Sequence, residues 1–146
     1  MSAGNLDVKS VMTANPAYCA PQTPLREVAQ MMIDNDCGQI PVVDANQAPI
    51  GVVTDRDIAV RVVAQGRDPS TVTAQDCMSS PVTTVNADSS LADCCNTMEN
   101  KQVRRVPVVA ADGSLCGIVS LADVALSGRD QKTADVVKEV SEPTRG

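Results

Sequence analysis

The chain has 146 residues, of which 43% are hydrophobic, and a formal net charge of −6. This length suits one compact domain or two very small ones, and the apolar content is sufficient for a core. The acidic balance lacks the basic footprint of nucleic-acid-binding proteins, so we predict no nucleic-acid partner.

The apolar residues form no long continuous stretch. No run approaches 18 residues, so we expect no membrane span. Residues 1–10 show no charged start followed by an apolar run, which argues against a secretory signal. We therefore expect a cytoplasmic protein that does not bind membranes.

The first half of the chain reads as strand, helix, strand, strand, helix. An extended segment follows Pro16, and a helix with an apolar stripe of helical period comes next. Thr23 is the expected N-cap of this helix, with Pro24 at its first position. Strands are predicted at residues 40–43 and 50–53, joined by a turn. The stripe consists of Leu25, Val28, Ala29, Met32 and Ile33.

A second helix ends the first half. It begins at Thr54 and ends at Gly66, and residues 66–75 read as a linker.

The second half follows the same order. After Pro81 comes an extended segment, then a helix for which Ser89 is the expected N-cap. Strands are predicted at residues 106–109 and 116–119, and the last helix runs from Ser120 to Gly128. The polar tail has one short helix expected at residues 134–140.

The two halves match at a constant offset of 66 residues, as in Gly51 and Gly117 or Met12 and Met78. We therefore predict domains at residues 8–66 and 75–128 and a C-terminal tail at residues 129–146. A unit of ~60 residues is marginally stable alone. We expect an α+β fold in which the two sheets pack against each other as four layers, α/β/β/α.

Six cysteines and no histidine are present, and the cysteine spacings match no zinc pattern. Five of the six stand where the other half has an apolar residue, which predicts buried, unreactive thiols. A thiol redox sensor at Cys94 and Cys95 is the alternative, although adjacent cysteines form a disulfide only with strain. The five are Cys37, Cys77, Cys94, Cys95 and Cys116.

A Gly-x-x-Thr/Ser-x-x-Asp motif occurs once in each half, where a strand leads into a helix. The free N–H groups at a helix start favour an anion, and a hydroxyl there can donate to a phosphate oxygen. An ionised Asp accepts hydrogen bonds from ribose hydroxyls, and Gly lets a ligand approach the backbone. The motif therefore predicts a grip for a ribose phosphate. Its residues are Gly51, Thr54 and Asp57, then Gly117, Ser120 and Asp123.

The same spacing has a purely structural interpretation. Thr-x-x-Asp is also a capping box, in which the acid bonds back to the cap residue. Two copies at equivalent positions favour ligand binding over capping alone.

These features resemble a tandem pair of CBS domains, the module named after cystathionine β-synthase and also called a Bateman module. The resemblance covers about residues 8–128 and is strongest to small stand-alone bacterial members. It rests on both Gly-to-Asp motifs, on the Pro-bearing strands at residues 40–43 and 106–109, and on the Met-Thr and Met-Ser segments at residues 11–13 and 77–79. It implies two β-α-β-β-α repeats with nucleotide sites in the clefts between them.

The resemblance further implies which residues would hold the ligand. Asp57 and Asp123 would hold ribose, and Thr54 and Ser120 would touch phosphate. The adenine pocket would be lined by Ile40, Pro41, Val106 and Pro107, with Tyr18, Cys19, Ala20, Thr84 and Val85 on its other wall. The expected ligand is AMP, ADP or ATP, ahead of S-adenosylmethionine and NADH, and no cofactor is required.

The two sites differ in charge. Copy one has Asp55-Arg56 where copy two has Leu121-Ala122, and copy two has Arg104-Arg105 where copy one has Gly38-Gln39. We hypothesise that Arg56 and one of Arg104 or Arg105 contact phosphate. Solvated surface arginines are the alternative.

The leading function is a non-catalytic regulatory module that senses a nucleotide and signals to an unidentified partner protein. The alternative is a scaffold whose clefts hold no nucleotide. By analogy with the family, both functions would involve a homodimer. An enzyme is not expected, because the sequence contains no candidate catalytic apparatus.

Overall fold

A computed structural model describes residues 6–127 of the chain. The chain divides into two compact units. The central unit is Ala17–Val82, and the flanking unit combines Met1–Pro16 with Thr83–Gly146. The expected glycine cap at Gly128, the tail at 129–146 and its short helix at 134–140 lie outside the described residues.

The central unit is built on helix α1 and a β-hairpin. Helix α1 spans Leu25–Asn35, and strands β2 (Gln39–Val43) and β3 (Pro49–Thr54) pair antiparallel. Cys19 forms a parallel bridge to Val42 on the outer side of β2. The apolar stripe of α1 and alternate residues of the hairpin form the core of the unit, as the two periodicities require.

The hairpin leads into helix α2 (Asp55–Ile58), which continues as a π-helical turn over Ala59–Val63. Residues predicted as a linker are packed into the same unit. The N–H of Leu25 donates to the carbonyl of Val72, and Val72 and Ala74 are buried. The unit ends with a short helix α3 at Ala74–Cys77.

The flanking unit has a four-stranded sheet in the order β1-β6-β5-β4. Strand β4 runs parallel to β5, and the other pairs are antiparallel. Helix α4 packs its buried stripe on this sheet, and helix α5 follows β6. The elements are β1 (Thr13–Ala14), β4 (Val85–Asn86), α4 (Leu91–Lys101), β5 (Arg105–Val109), β6 (Leu115–Ser120) and α5 (Leu121–Ser127).

Sequence order and spatial grouping differ at the first strand of each repeat. Thr13, from the start of the first repeat, pairs with Ile118 in the second. Ser79, from the start of the second repeat, pairs with Val52 in the first. Each compact unit therefore takes its outer strand from the start of the other sequence repeat.

The four predicted hairpin strands are present, each within one residue of its expected bounds, and the two helix caps require correction. Pro24 is the N-cap of α1, not its first helical residue, because its backbone is extended with ψ 144°. The Thr23 hydroxyl instead accepts from the N–H of Ala20. Helix α4 is capped by Ser90, whose hydroxyl accepts from Asp93, and not by Ser89. No helix in the described part of the chain has the length and apolarity to cross a membrane.

Gly51 and Gly117 lie against the outer strands. A Cβ on Gly51 would lie 2.6 Å from Sδ of Met78 and 3.0 Å from the carbonyl oxygen of Ser79. A Cβ on Gly117 would collide with Sδ of Met12 and lie 3.0 Å from the Thr13 carbonyl oxygen. Glycine is required here because another strand passes close to the backbone.

We expect Gly117→Ala to lower the free energy of unfolding by about 1–3 kcal/mol through this overlap. Urea denaturation of both proteins measures the loss. The double variant Gly117→Ala with Met12→Ala should lose less than the sum of the two single variants, because Met12→Ala vacates the space. Additive losses would show that the two side chains do not compete.

Candidate functional site

In the central unit, Thr54 and Asp57 form a complete capping box at the start of α2. The N–H of Thr54 donates to Oδ2 of Asp57 at 3.0 Å, and the N–H of Asp57 donates to Oγ1 of Thr54 at 3.0 Å. Each side chain thus satisfies a backbone donor that the helix leaves free.

The flanking unit repeats this arrangement at the start of α5. The N–H of Ser120 donates to Oδ2 of Asp123 at 3.0 Å, and the N–H of Asp123 donates to Oγ of Ser120 at 3.1 Å. The structural interpretation of the motif is therefore correct in both copies.

The capping box leaves hydrogen-bonding capacity on both residue types. A hydroxyl that accepts an N–H keeps its own proton to donate, and a carboxylate has about four lone-pair sites. In the flanking unit, the described contacts of Asp123 involve Oδ2, so Oδ1 can accept from a ligand. The hydroxyl and the carboxylate can therefore cap the helix and contact a ligand together.

Among the contacts within residues 6–127, Asp57 has several for which Asp123 has no equivalent. The Ser79 hydroxyl lies 3.1 Å from Oδ1 and 3.2 Å from Oδ2 of Asp57. Nε of Arg61 lies 3.9 Å from Oδ1, and Nη1 of Arg61 donates to the carbonyl of Met78 at 3.3 Å. Asp57 is 9% exposed, so these contacts solvate a carboxylate that has little access to water.

Ser79 and Arg61 are thus site residues that the sequence interpretation missed. At the offset of 66 they correspond to Thr13 and Ser127. Ser127 donates its hydroxyl to the Val124 carbonyl. The position of Ser79 in the Met-Ser segment could have drawn attention to it, but nothing in the sequence indicates that this segment reaches Asp57.

The expected adenine wall is assembled in part. The segment around Cys19 lies along β2, with the Cys19 N–H donating to the Pro41 carbonyl at 2.9 Å. Tyr18 on one side of Cys19 is 46% exposed, and Ala20 on the other side is exposed. In this unit the structure therefore brings Tyr18, Ala20 and Pro41 together.

The corresponding wall in the flanking unit uses β4 and β5. Val85 pairs with Val108 in parallel, next to Pro107, and Thr84 is half-buried. The side chains of Ile40 and Val106 are 0% exposed, each within the core of its own unit. Val85 is 8% exposed and belongs to the same flanking core as Val106. The side chains of these three predicted lining residues therefore fill the core, and they offer a ligand their backbone.

Hairpin register places the arginines. Arg105 pairs directly with Ser120 across β5 and β6, and it is half-buried. The carbonyl of Arg104 accepts from the N–H of Leu121 at 2.9 Å, and Arg104 is exposed. Arg56 is exposed at the start of α2, where its N–H donates to Oδ1 of Asp55 at 2.8 Å.

The glycines of the motif have a different role from the predicted one. Gly51 and Gly117 were expected to let a ligand approach the backbone. The Met78 and Met12 side chains occupy that position instead. At both motif glycines, the close approach is therefore one of strand to strand.

The cysteines are free thiols in mainly apolar surroundings. Burial raises the pKa of Cys19 and of Cys94 to about 12, and it also raises the pKa of Cys77, Cys95 and Cys116. Within residues 6–127, no group of three or more Cys, Asp or Glu side chains is arranged to hold a metal ion.

Two segments of the chain, residues 8–64 and 74–127, match the family model of the CBS domain. Hypoxic response protein 1 of Mycobacterium tuberculosis is 33% identical over 135 residues, which cover 92% of this chain and 94% of the relative. The chain is 36% identical over 124 residues to the uncharacterized protein MK0525 of Methanopyrus kandleri, covering 85% of this chain and 61% of that protein.

Solved structures share the fold. A crystal structure of Hypoxic Response Protein I with two coordinated zinc ions has a TM-score of 0.76 at 35% identity, covering 82% of this chain and 97% of the other. The CBS domain pair of protein MJ0100, in complex with 5′-methylthioadenosine and S-adenosyl-L-methionine, has a TM-score of 0.72 at 25% identity, with coverage of 82% and 93%. CBSX2 in complex with AMP has a TM-score of 0.72 at 24% identity, with coverage of 84% and 95%.

We expect Cys94 and Cys95 to react with a thiol reagent at least tenfold more slowly than Cys37 and Cys116 at pH 8. The reagent attacks the thiolate, which burial disfavours, and Cys94 is 0% exposed. Mass-spectrometric peptide mapping after timed labelling measures each rate. Fast labelling of the vicinal pair in folded protein would revive the redox-sensor alternative, and urea-unfolded protein serves as the control.

Proposed function

The chain belongs to the CBS-domain family, and we propose that it is a non-catalytic regulatory module that binds an adenosine-containing ligand. The supporting observation is the repeated hydroxyl–carboxylate pair: Thr54 with Asp57, and Ser120 with Asp123. Each pair lies where the second hairpin strand meets a helix, beside a wall of the same unit.

The proposed roles follow from donor and acceptor chemistry. Asp57 and Asp123 accept hydrogen bonds from the 2′ and 3′ hydroxyls of ribose, because an ionised carboxylate only accepts. Thr54 and Ser120 retain a hydroxyl proton that can be donated to a phosphate or to another acceptor on the 5′ side. Bonds of this kind to a charged group contribute roughly 1.5–3 kcal/mol each.

The adenine would lie against the apolar walls. In the central unit these are Tyr18, Ala20 and the Pro41 backbone, and in the flanking unit the backbone of Val85 and Pro107, which are both buried. Such a wall with a few polar groups is typical of a ligand site.

AMP, ADP or ATP is the proposed ligand class, ahead of S-adenosylmethionine and NADH. Arg104 and Arg105 beside Ser120 support a phosphate-bearing ligand at that pair. That Arg56 contacts a phosphate at the other pair stays a prediction, and the adjacent Asp55 offsets the charge of Arg56. The ligands of MJ0100, S-adenosyl-L-methionine and 5′-methylthioadenosine, support the adenosine part without favouring a phosphate.

A scaffold without nucleotide is the second candidate. Its support is that both carboxylates already cap their own helices, and Asp57 is further bonded by Ser79. In either case we propose a cytoplasmic homodimer that acts on a partner protein. Sedimentation of the purified chain measures the self-association.

Mass spectrometry of small molecules released from the purified protein tests the proposal most directly, and an adenosine compound is expected. In a thermal-shift screen, a ligand at ~100 times its Kd should add ~2.7 kcal/mol to the free energy of unfolding. A chain of this size should then melt several degrees higher. Absence of both signals with AMP, ATP, S-adenosylmethionine and NADH would favour the scaffold.

Two single variants assign the site. Asp123→Asn should weaken ligand binding in the flanking unit at least tenfold, because an amide oxygen is a weaker acceptor than a carboxylate. Asp93→Asn is the matched control, since Asp93 is an exposed acid in the first turn of α4 in the same unit. Equal affinity in the two variants would contradict the role of Asp123.

A further inference from the structure

The two hairpins have identical register, so one position can be compared across them. Arg105 lies directly opposite Ser120, and Gln39 lies directly opposite Thr54. Side chains of directly opposed residues share a face, with Cβ atoms about 5 Å apart. A cationic side chain therefore leaves the strand beside Ser120, where a neutral amide side chain leaves it beside Thr54.

The next position carries a second difference. The N–H of Leu121 donates to the Arg104 carbonyl at 2.9 Å, and the N–H of Asp55 donates to the Gly38 carbonyl at 3.0 Å. A Cβ on Gly38 would lie 2.9 Å from Oδ2 of Asp55. In the central unit a carboxylate thus occupies the space where the Arg104 side chain begins in the flanking unit.

The net charge of the neighbouring side chains therefore differs between the two hydroxyls. Within residues 6–127, Ser120 has two arginines nearby, Arg104 and Arg105, and one acid, Asp123. Near Thr54 stand two arginines and two acids. Of these, Asp55 accepts from the backbone N–H of Arg56, and Asp57 lies 3.9 Å from Arg61. The central unit offers an added phosphate no net positive charge.

We propose that the two pairs select different classes of adenosine ligand. The pair in the flanking unit takes an adenosine ligand that carries phosphate. The pair in the central unit takes one without phosphate, with a neutral or cationic 5′ group such as a thioether or a sulfonium. This inference rests on the proposed function and assigns a ligand class to each of its sites.

The selection has an electrostatic cause. A phosphate beside Arg105 gains a charge-assisted hydrogen bond, whereas a phosphate beside Asp55 meets a like charge. A sulfonium is instead repelled by Arg105 and attracted by Asp55. Exposed charges are screened by water and salt, so a preference of about tenfold is expected for each charge.

Single-site variants of the full chain test the proposal. Asp57→Asn leaves the flanking pair intact, and Asp123→Asn leaves the central pair intact. Calorimetry with adenosine, ADP and S-adenosylmethionine then measures each site alone. ADP should bind at least tenfold more tightly than adenosine to Asp57→Asn, and no more tightly than adenosine to Asp123→Asn, whereas S-adenosylmethionine should prefer Asp123→Asn.

Variants of Arg105, Gln39 and Asp55 in the otherwise unchanged chain keep both capping boxes. They therefore remain informative if Asp57→Asn does not fold. Arg105→Gln copies Gln39 and should cost ADP at least tenfold while leaving adenosine affinity within twofold. Gln39→Arg combined with Asp55→Asn should raise the ADP stoichiometry from one to two per chain.

The outcomes separate the two levels of the proposal. If adenosine, ADP and S-adenosylmethionine all fail to bind the parent chain, the proposed function itself is wrong. If ADP gains the same factor over adenosine at both sites, only the selection is overturned. The selection is also overturned if adding Arg56→Ala to the Asp123→Asn variant weakens ADP binding, because Arg56 would then hold a phosphate in the central unit.

Discussion

The register of the two β-hairpins is the constraint on which both sites depend. Each hairpin places one residue opposite the hydroxyl of the motif, Gln39 for Thr54 and Arg105 for Ser120, and each shifts register at the same point, after Val42 or Val108. A slip of one residue would send every side chain to the opposite face. Gly51 and Gly117 reinforce the register, because a side chain at either position would overlap the outer strand and its methionine.

Much of this fold could be predicted from the sequence, because the information is local. Short apolar runs on both sides of a turn located the four hairpin strands within one residue, and the helical stripe located α1 and α4. The origin of the outer strands could not be predicted. Similarity at an offset of 66 aligns Met12 with Met78 in chain order, but pairing in space is decided by long-range contacts that local patterns do not encode. The caps at Pro24 and Ser90 were each misplaced by one residue, because neighbouring hydroxyls or prolines satisfy the same pattern.

The candidate site was predictable to the same depth. The hydroxyl and the acid of each motif come together, because residues three positions apart at a helix start are close in any helix. The capping box and the ligand grip use the same residues, so spacing alone could not separate them. Ser79 reaches Asp57 across 22 positions of the chain, and only the outer-strand pairing with Val52 explains that contact. Ile40 and Val106 were expected to line a pocket, but alternation along a buried strand turns their side chains into the core.

The capping box also affects the stability of the fold when no ligand is bound. A buried carboxylate without partners would destabilise the fold by several kcal/mol, whereas both acids here are satisfied by backbone N–H groups before any ligand arrives. A ribose at Asp123 would add bonds to Oδ1 without breaking the cap. A ribose at Asp57 would compete with the hydroxyl of Ser79. The backbone of Ser79 stays fixed by two hydrogen bonds to the backbone of Val52, of 2.8 and 3.1 Å. Only a side-chain rotation is then required, so the outer strand remains paired, and a ligand at Asp57 has to replace this one hydroxyl contact.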